Sequence, residues 1–191
     1  MLFRSAAKII IELANALSAA YHQKGPSGRP LHLLHRDLKP ANIKLTRQGE
    51  VKLLDFGVAR AEFVGKEAAT TQAVFGTISY IAPERFEGED TPAGDVYALG
   101  VTFFEMMFGI QPGYSSGDPE RFSPGKRLRP QWERLQQLPR LHRLVVAMLS
   151  PHVEERPDLK KIVSELEGMM AQMPGPSLAE WAATLPGADF E

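Results

Sequence analysis

Apolar residues recur at helical spacing in four stretches of the chain. Ile9, Ile10, Leu13, Leu17 and Ala20 line up within residues 6–22, while Lys8, Glu12 and Asn15 fall mostly elsewhere. That pattern predicts an amphipathic helix, stopped by Gly25 and Pro26. Residues 95–108 are apolar nearly all round (Val96, Tyr97, Leu99, Val101, Phe103, Phe104, Met106, Met107), as befits a helix at the centre of a domain. Residues 138–149 and 158–173 predict two further amphipathic helices, the second opened by Pro157 near its first turn. Residues 109–130, rich in Gly, Pro and Ser, predict irregular chain with at most one short helical turn.

Two short apolar runs have a different period. Residues 43–45 and 51–54 predict strands, joined by the turn Thr46-Arg47-Gln48-Gly49-Glu50. A hairpin brings the residue before its first strand and the residue after its second to the same end. Those residues are Asn42 and Asp55, so local sequence predicts an amide oxygen beside a carboxylate. Residues 24–30 form a polar Gly/Pro loop, read as a surface insertion, and residues 57–75 predict a long loop. From Pro174 the composition becomes Pro/Gly-rich, which predicts either a tail or the start of a linker over 174–191.

Composition narrows the class without naming a chemistry. The chain has 191 residues, 43% hydrophobic and 24% charged, enough for one domain with a sizeable core. A net charge of −1 points to neither nucleic acid nor a membrane surface. The absence of cysteine excludes disulfides and fits a reducing compartment. Lys8 and Glu12 interrupt the N-terminal apolar stretch, which argues against a secretory signal. Residues 96–110 are too few to span a bilayer and include Glu105, so no membrane span is expected. The expected location is cytoplasmic.

The chemistry lies in His35-Arg36-Asp37-Leu38-Lys39-Pro40-Ala41-Asn42, followed by Asp55-Phe56-Gly57 and Ala82-Pro83-Glu84. These motifs resemble those of Ser/Thr protein kinases. The resemblance covers about residues 6–173 and implies a mainly α fold with a short β-hairpin, the protein-kinase-like C-lobe. It implies phosphoryl transfer from Mg-ATP to protein Ser or Thr hydroxyls, with ATP and Mg²⁺ as cofactors. Asp37 then orients the acceptor hydroxyl and takes its proton, and Lys39 reaches the transferring phosphate. Lys39 also marks likeness to Ser/Thr rather than Tyr kinases. Asn42 and Asp55 become the Mg²⁺ ligands.

Further roles follow from the same resemblance. His35 and Phe56 belong to an aligning stack, and Asp95 anchors the loop backbone from below. Thr77 contacts Asp37 and Lys39. Glu84 pairs with Arg156, and removing one partner of a buried pair would cost roughly 3–5 kcal/mol. Arg36 would receive a phosphate carried by Thr70 or Thr71, with Thr71 slightly favoured. Strand alternation puts Lys44 opposite Ile43 and Leu45; its stem either covers the adenine or lies exposed.

The small lobe of the resembled family supplies a Gly-rich loop, a strand lysine and a helix Glu, none of which precedes His35. Residues 1–173 are therefore expected to be a kinase catalytic domain C-lobe truncated at its N-terminal side. The alternatives to an active kinase are an inactive kinase-like binding module and a truncated fragment. Expected partners are a protein substrate and a small-lobe or regulatory partner.

Overall fold

The computed structural model describes residues 2–56, 78–112 and 128–185. Six α-helices lie among them: α1 (Phe3–His22), α2 (Pro92–Phe108), α3 (Arg129–Gln136), α4 (Pro139–Met148), α5 (Leu159–Met170) and α6 (Leu178–Ala182). A two-stranded antiparallel sheet, β1 (Ile43–Leu45) and β2 (Val51–Leu53), sits between α1 and α2 in sequence. Its register pairs Ile43 with Leu53, Lys44 with Lys52 and Leu45 with Val51.

α1 and α2 carry the core. α2 is buried on almost every face, from Asp95 through Phe104 to Met107, as its uninterrupted apolar sequence requires. α4 lies against it because Gly100 has no side chain: a Cβ there would stand 2.9 Å from Met148 Cβ. α1 is buried more widely than its amphipathic pattern predicts, adding Phe3, Ala7, Ile11 and Ala14. Only a narrow stripe remains for Arg4 and Asn15 to face water. α1 packs against α2, α5, α6 and β2.

Several boundaries differ from the sequence expectation, each for a physical reason. α1 begins at Phe3 rather than residue 6, because distant chain supplies its missing cap. Arg4 N–H donates to the Pro174 carbonyl (3.3 Å) and Ser5 Oγ to the Pro176 carbonyl (2.8 Å). α5 starts at Leu159, with Asp158 as N-cap accepting from Lys161 N–H (2.8 Å), so Pro157 stands before the helix rather than in its first turn. α3 begins at the close of the stretch expected to be irregular and runs on through residues for which no element was expected. It buries only Trp132 and Leu135, too few positions to show a period.

The segment after Pro174 carries α6, opened by a Ser177/Glu180 capping box, with Leu178 and Ala182 buried. The helix touches the hairpin turn. A Cβ on Gly49, which stands at φ +84°, would lie 3.5 Å from Ala179 Cα. The 24–30 loop is exposed and closed by a bridge between Lys24 and Pro30. No helix among the described residues is long and apolar enough to cross a membrane.

Candidate active site

The site is built from below, starting with Asp95. The carboxylate lies in the first turn of α2, 4% exposed. Its Oδ2 accepts the His35 N–H (2.8 Å); its Oδ1 accepts the Arg36 N–H (2.9 Å) and Arg85 Nη2 (2.8 Å). A buried carboxylate with three donors is satisfied, and here two of those donors are consecutive amides of the 35–42 loop.

His35 is fully buried and ties the loop to the hairpin. Its Nε2 donates to the Leu54 carbonyl (2.8 Å), and its Nδ1 accepts the Asp37 N–H (3.3 Å). The two partners fix the tautomer, because one is an acceptor and the other a donor. The Phe56 ring meets the His35 ring edge-on at 4.9 Å.

Asp37 presents its carboxylate at the rim, with Lys39 Nζ 2.8 Å from Oδ2 and 3.0 Å from Oδ1. Asn42 Nδ2 donates to Asp37 Oδ2 (2.9 Å) and to the Asp37 carbonyl (2.7 Å). Both acceptors take hydrogens only, so the Asn42 amide nitrogen faces Asp37 and its Oδ1 is the atom left to meet a cation. Asn42 closes a single 3₁₀ turn, Pro40–Asn42, directly before β1.

The hairpin extends one rung past its named strands, since Leu54 N–H donates to the Asn42 carbonyl (2.9 Å). Asp55 follows that rung, exposed, at φ +58°. Arg36 also stands in the left-handed region, at φ +69°. Non-glycine residues held there cost of order 1–3 kcal/mol each, and these two flank the site.

Asn42 Oδ1 and the Asp55 carboxylate offer oxygen only, the donor type that Mg²⁺ takes, and Mg²⁺ usually completes its shell with water and phosphate. Among the described residues no group of three or more His, Cys, Asp or Glu could hold a metal by itself.

The remaining expected residues fall in other places. Lys44 sits in β1 across from Lys52, on the exposed face of the hairpin. Arg36 Nε donates to Asp90. Thr70, Thr71 and Thr77 lie outside the described residues, as does Gly57. Glu84 and Arg156 meet in the buried interior. Arg156 Nη1 is 2.6 Å from Glu84 Oε1 and Nη2 is 2.8 Å from Oε2; Nε donates to the Ser150 carbonyl and Nη1 also to the Ala93 carbonyl. The guanidinium lies 5.1 Å from the Tyr97 ring centroid.

The sequence reading missed two clusters. Arg85 and Asp90 join Arg36 and Asp95 in one charged network. Gly94, ahead of Asp95 in a helical first turn, was the one signal of a close approach there. Tyr80 Oη donates to Glu105 and accepts from Gln111 Nε2 (3.0 Å). Burial first, and then the Glu105 hydrogen bond, push the Tyr80 phenol well above its ordinary range.

Comparison with known proteins gives the family of the chain. The family model described as "Protein kinase domain" matches residues 3–166. Tyrosine-protein kinase MasK of Myxococcus xanthus is 33% identical over 165 residues, which is 85% of this chain and 22% of that protein. Serine/threonine-protein kinase PknB of Mycolicibacterium smegmatis is 40% identical over 111 residues, 57% of this chain and 16% of its own length. Serine/threonine-protein kinase PknA of Mycobacterium tuberculosis is 46% identical over 86 residues, 44% of this chain and 20% of its own length. The chain thus spans about a fifth of the length of these curated relatives.

Proposed function

The chain belongs to the protein kinase domain family, and we propose that it is the catalytic lobe of a Ser/Thr protein kinase, moving the γ-phosphoryl group of ATP to a Ser or Thr hydroxyl. One observation carries the reading: the Asp37 carboxylate converges with Lys39 Nζ and the Asn42 amide at a partly exposed rim, with Asp55 one residue beyond the Asn42–Leu54 rung.

In this reading Asp37 holds the acceptor hydroxyl and takes its proton as the new O–P bond forms and the bond to the departing ADP oxygen breaks. Lys39 is tethered to the same carboxylate, so a hydroxyl seated on Asp37 is already beside a cation suited to the transferring phosphate. Asn42 and Asp55 would hold Mg²⁺, which when bound neutralises phosphate charge. Asn42 also orients Asp37 through its two hydrogen bonds. Lys44 would lie against the base. Arg36, paired with Asp90 here, would exchange that partner for a phosphate on Thr70 or Thr71. The lobe would work in the cytoplasm, where ATP is.

Transfer of labelled phosphate from Mg-ATP to peptides carrying Ser, Thr or Tyr tests the reading. Label is expected on Ser or Thr, and Asp37→Asn should lower transfer by about 10²–10⁴-fold. Transfer unchanged in Asp37→Asn would remove Asp37 from its role. Label on Tyr alone would remove the acceptor class, a live question because one relative is named a tyrosine kinase.

A second reading, a kinase-like module that acts by binding, is favoured by Leu31 and Leu33. They are 47% and 43% exposed just before His35, an apolar surface suited to a small-lobe or regulatory partner. Absence of transfer together with retained partner binding would select it.

A further inference from the structure

We propose that Arg85 is a positioning residue for Asp37, acting by holding the carbonyl of Arg36; the inference rests on the catalytic reading of Asp37 given above. The peptide that joins Arg36 to Asp37 is gripped at both of its polar ends. Its N–H donates to His35 Nδ1 (3.3 Å), and its C=O accepts from Arg85 Nη1 (3.3 Å). The preceding amide, Arg36 N–H, is fixed on Asp95 Oδ1 (2.9 Å). Two successive peptides are thereby held in orientation, and the residue between them stands at φ +69°. A left-handed arginine persists only where its surroundings over-determine it. Arg85 supplies the contact on the Asp37 side of that residue.

The position of Arg85 is itself determined. The side chain, 10% exposed, lies across Gly94, where a Cβ would stand 2.6 Å from Arg85 Nε and 2.8 Å from Cζ. The missing side chain at residue 94 is what lets the guanidinium lie flat over the first turn of α2. From there Nη2 reaches Asp95 Oδ1 at 2.8 Å while Nη1 faces Arg36. Nε comes within 3.2 Å of Asp90 Oδ1, an ion pair without hydrogen-bond alignment. Asp90 also accepts from Arg36 Nε, so a single carboxylate spans both guanidiniums.

The fork geometry of arginine is needed for this arrangement. One planar group must serve a carboxylate and a carbonyl together, and a lysine ammonium could neutralise Asp95 but not occupy both places. Neutralising Asp95 and gripping the carbonyl are therefore separable by substitution.

The test uses the 191-residue chain and four variants: Arg85→Ala, Arg85→Lys, Gly94→Ala and the double Arg85→Ala/Gly94→Ala. Amide hydrogen exchange is read at Arg36 and Asp37, with core amides of α1 as the control for folding. Exchange at the two loop amides should rise about tenfold in Arg85→Ala and in Gly94→Ala, with α1 unchanged. The double variant should match Arg85→Ala, because both changes act through one contact. Arg85→Lys should behave like Arg85→Ala. In the transfer assay the same variants should lose about ten- to a hundredfold in kcat with KM for ATP unchanged.

Full restoration by Arg85→Lys would show that charge alone matters and would overturn the carbonyl grip. So would additive effects in the double variant, or unchanged loop exchange in Arg85→Ala. Should Arg85→Ala fail to fold, Gly94→Ala decides, since it displaces the guanidinium while keeping its charge. Absence of transfer in the unaltered chain would count against the kinase reading, and the exchange arms would still decide the grip.

Discussion

Two cation–carboxylate pairs of this lobe, one buried and one at the rim, are built for opposite purposes. The Arg156–Glu84 pair has side chains 0% and 6% exposed, two parallel hydrogen bonds and further carbonyl acceptors for the guanidinium. Lys39–Asp37 at the rim is 23% and 28% exposed, a point charge beside a carboxylate that water can reach. The first pair has little hydrogen-bonding capacity left and cannot be opened without stranding a charge. The second can part when a phosphate and a hydroxyl arrive and re-form when they leave. Burial and donor geometry, not the kind of charge, separate a pair that holds the fold from one that can take part in a reaction.

Breaking the buried pair should give the largest loss of stability. Arg156→Ala is expected to cost about 3–5 kcal/mol, lowering the melting temperature by roughly 10 °C. Asp37→Asn, by contrast, should stay within about 0.5 kcal/mol of the unaltered chain. An unchanged midpoint in Arg156→Ala would erase the distinction between the two pairs.

A smaller effect tests the buried interior without touching charge. Gly100→Val would drive a side chain into Met148 and Leu149, where even a Cβ meets atoms at 2.9 and 3.2 Å. Overpacking of this kind costs about 1–3 kcal/mol, readable as a shifted urea midpoint.

The smallest effect lies at α6, where an ionisable group belongs to neither pair. Backbone and side-chain hydrogen bonds from Ser177 hold the exposed Glu180 carboxyl below its ordinary value of 4.5. A folded-state value below the unfolded one means this support is present above pH 4.5 and is lost as pH falls through the lower folded value. Glu180→Gln should remove that part of the acid sensitivity of α6, followed by exchange of its amides. Ser177→Ala should cost about 1 kcal/mol at neutral pH.

The rim was legible in the sequence because its geometry is local. A three-residue turn and a short hairpin carry Asn42 to Asp37 and to the neighbourhood of Asp55, and each is signalled by nearby residues. The central helix was legible from its apolar density alone. What sequence could not show depends on chain brought from afar. Nothing around Arg85 announces that it will meet the carbonyl of residue 36. Nothing around Phe3 announces that carbonyls near residue 175 will cap its helix. α3 escaped because a helix burying two side chains has no period to read. α6 could have been found, since Ser177 and Glu180 have capping-box spacing.

The clasp between the first turn of α1 and the chain before α6 also sets an order of events in time. Its side-chain hydrogen bond joins Ser5 to Pro176, 171 positions apart. During synthesis the N-terminal helix emerges long before the segment that completes it. Closure across such a separation is delayed until intervening chain has collapsed, because the entropy of the loop must be met by contacts already made. The start of α1 should therefore be among the last backbone to become protected during refolding, although it is made well before the segment that clasps it.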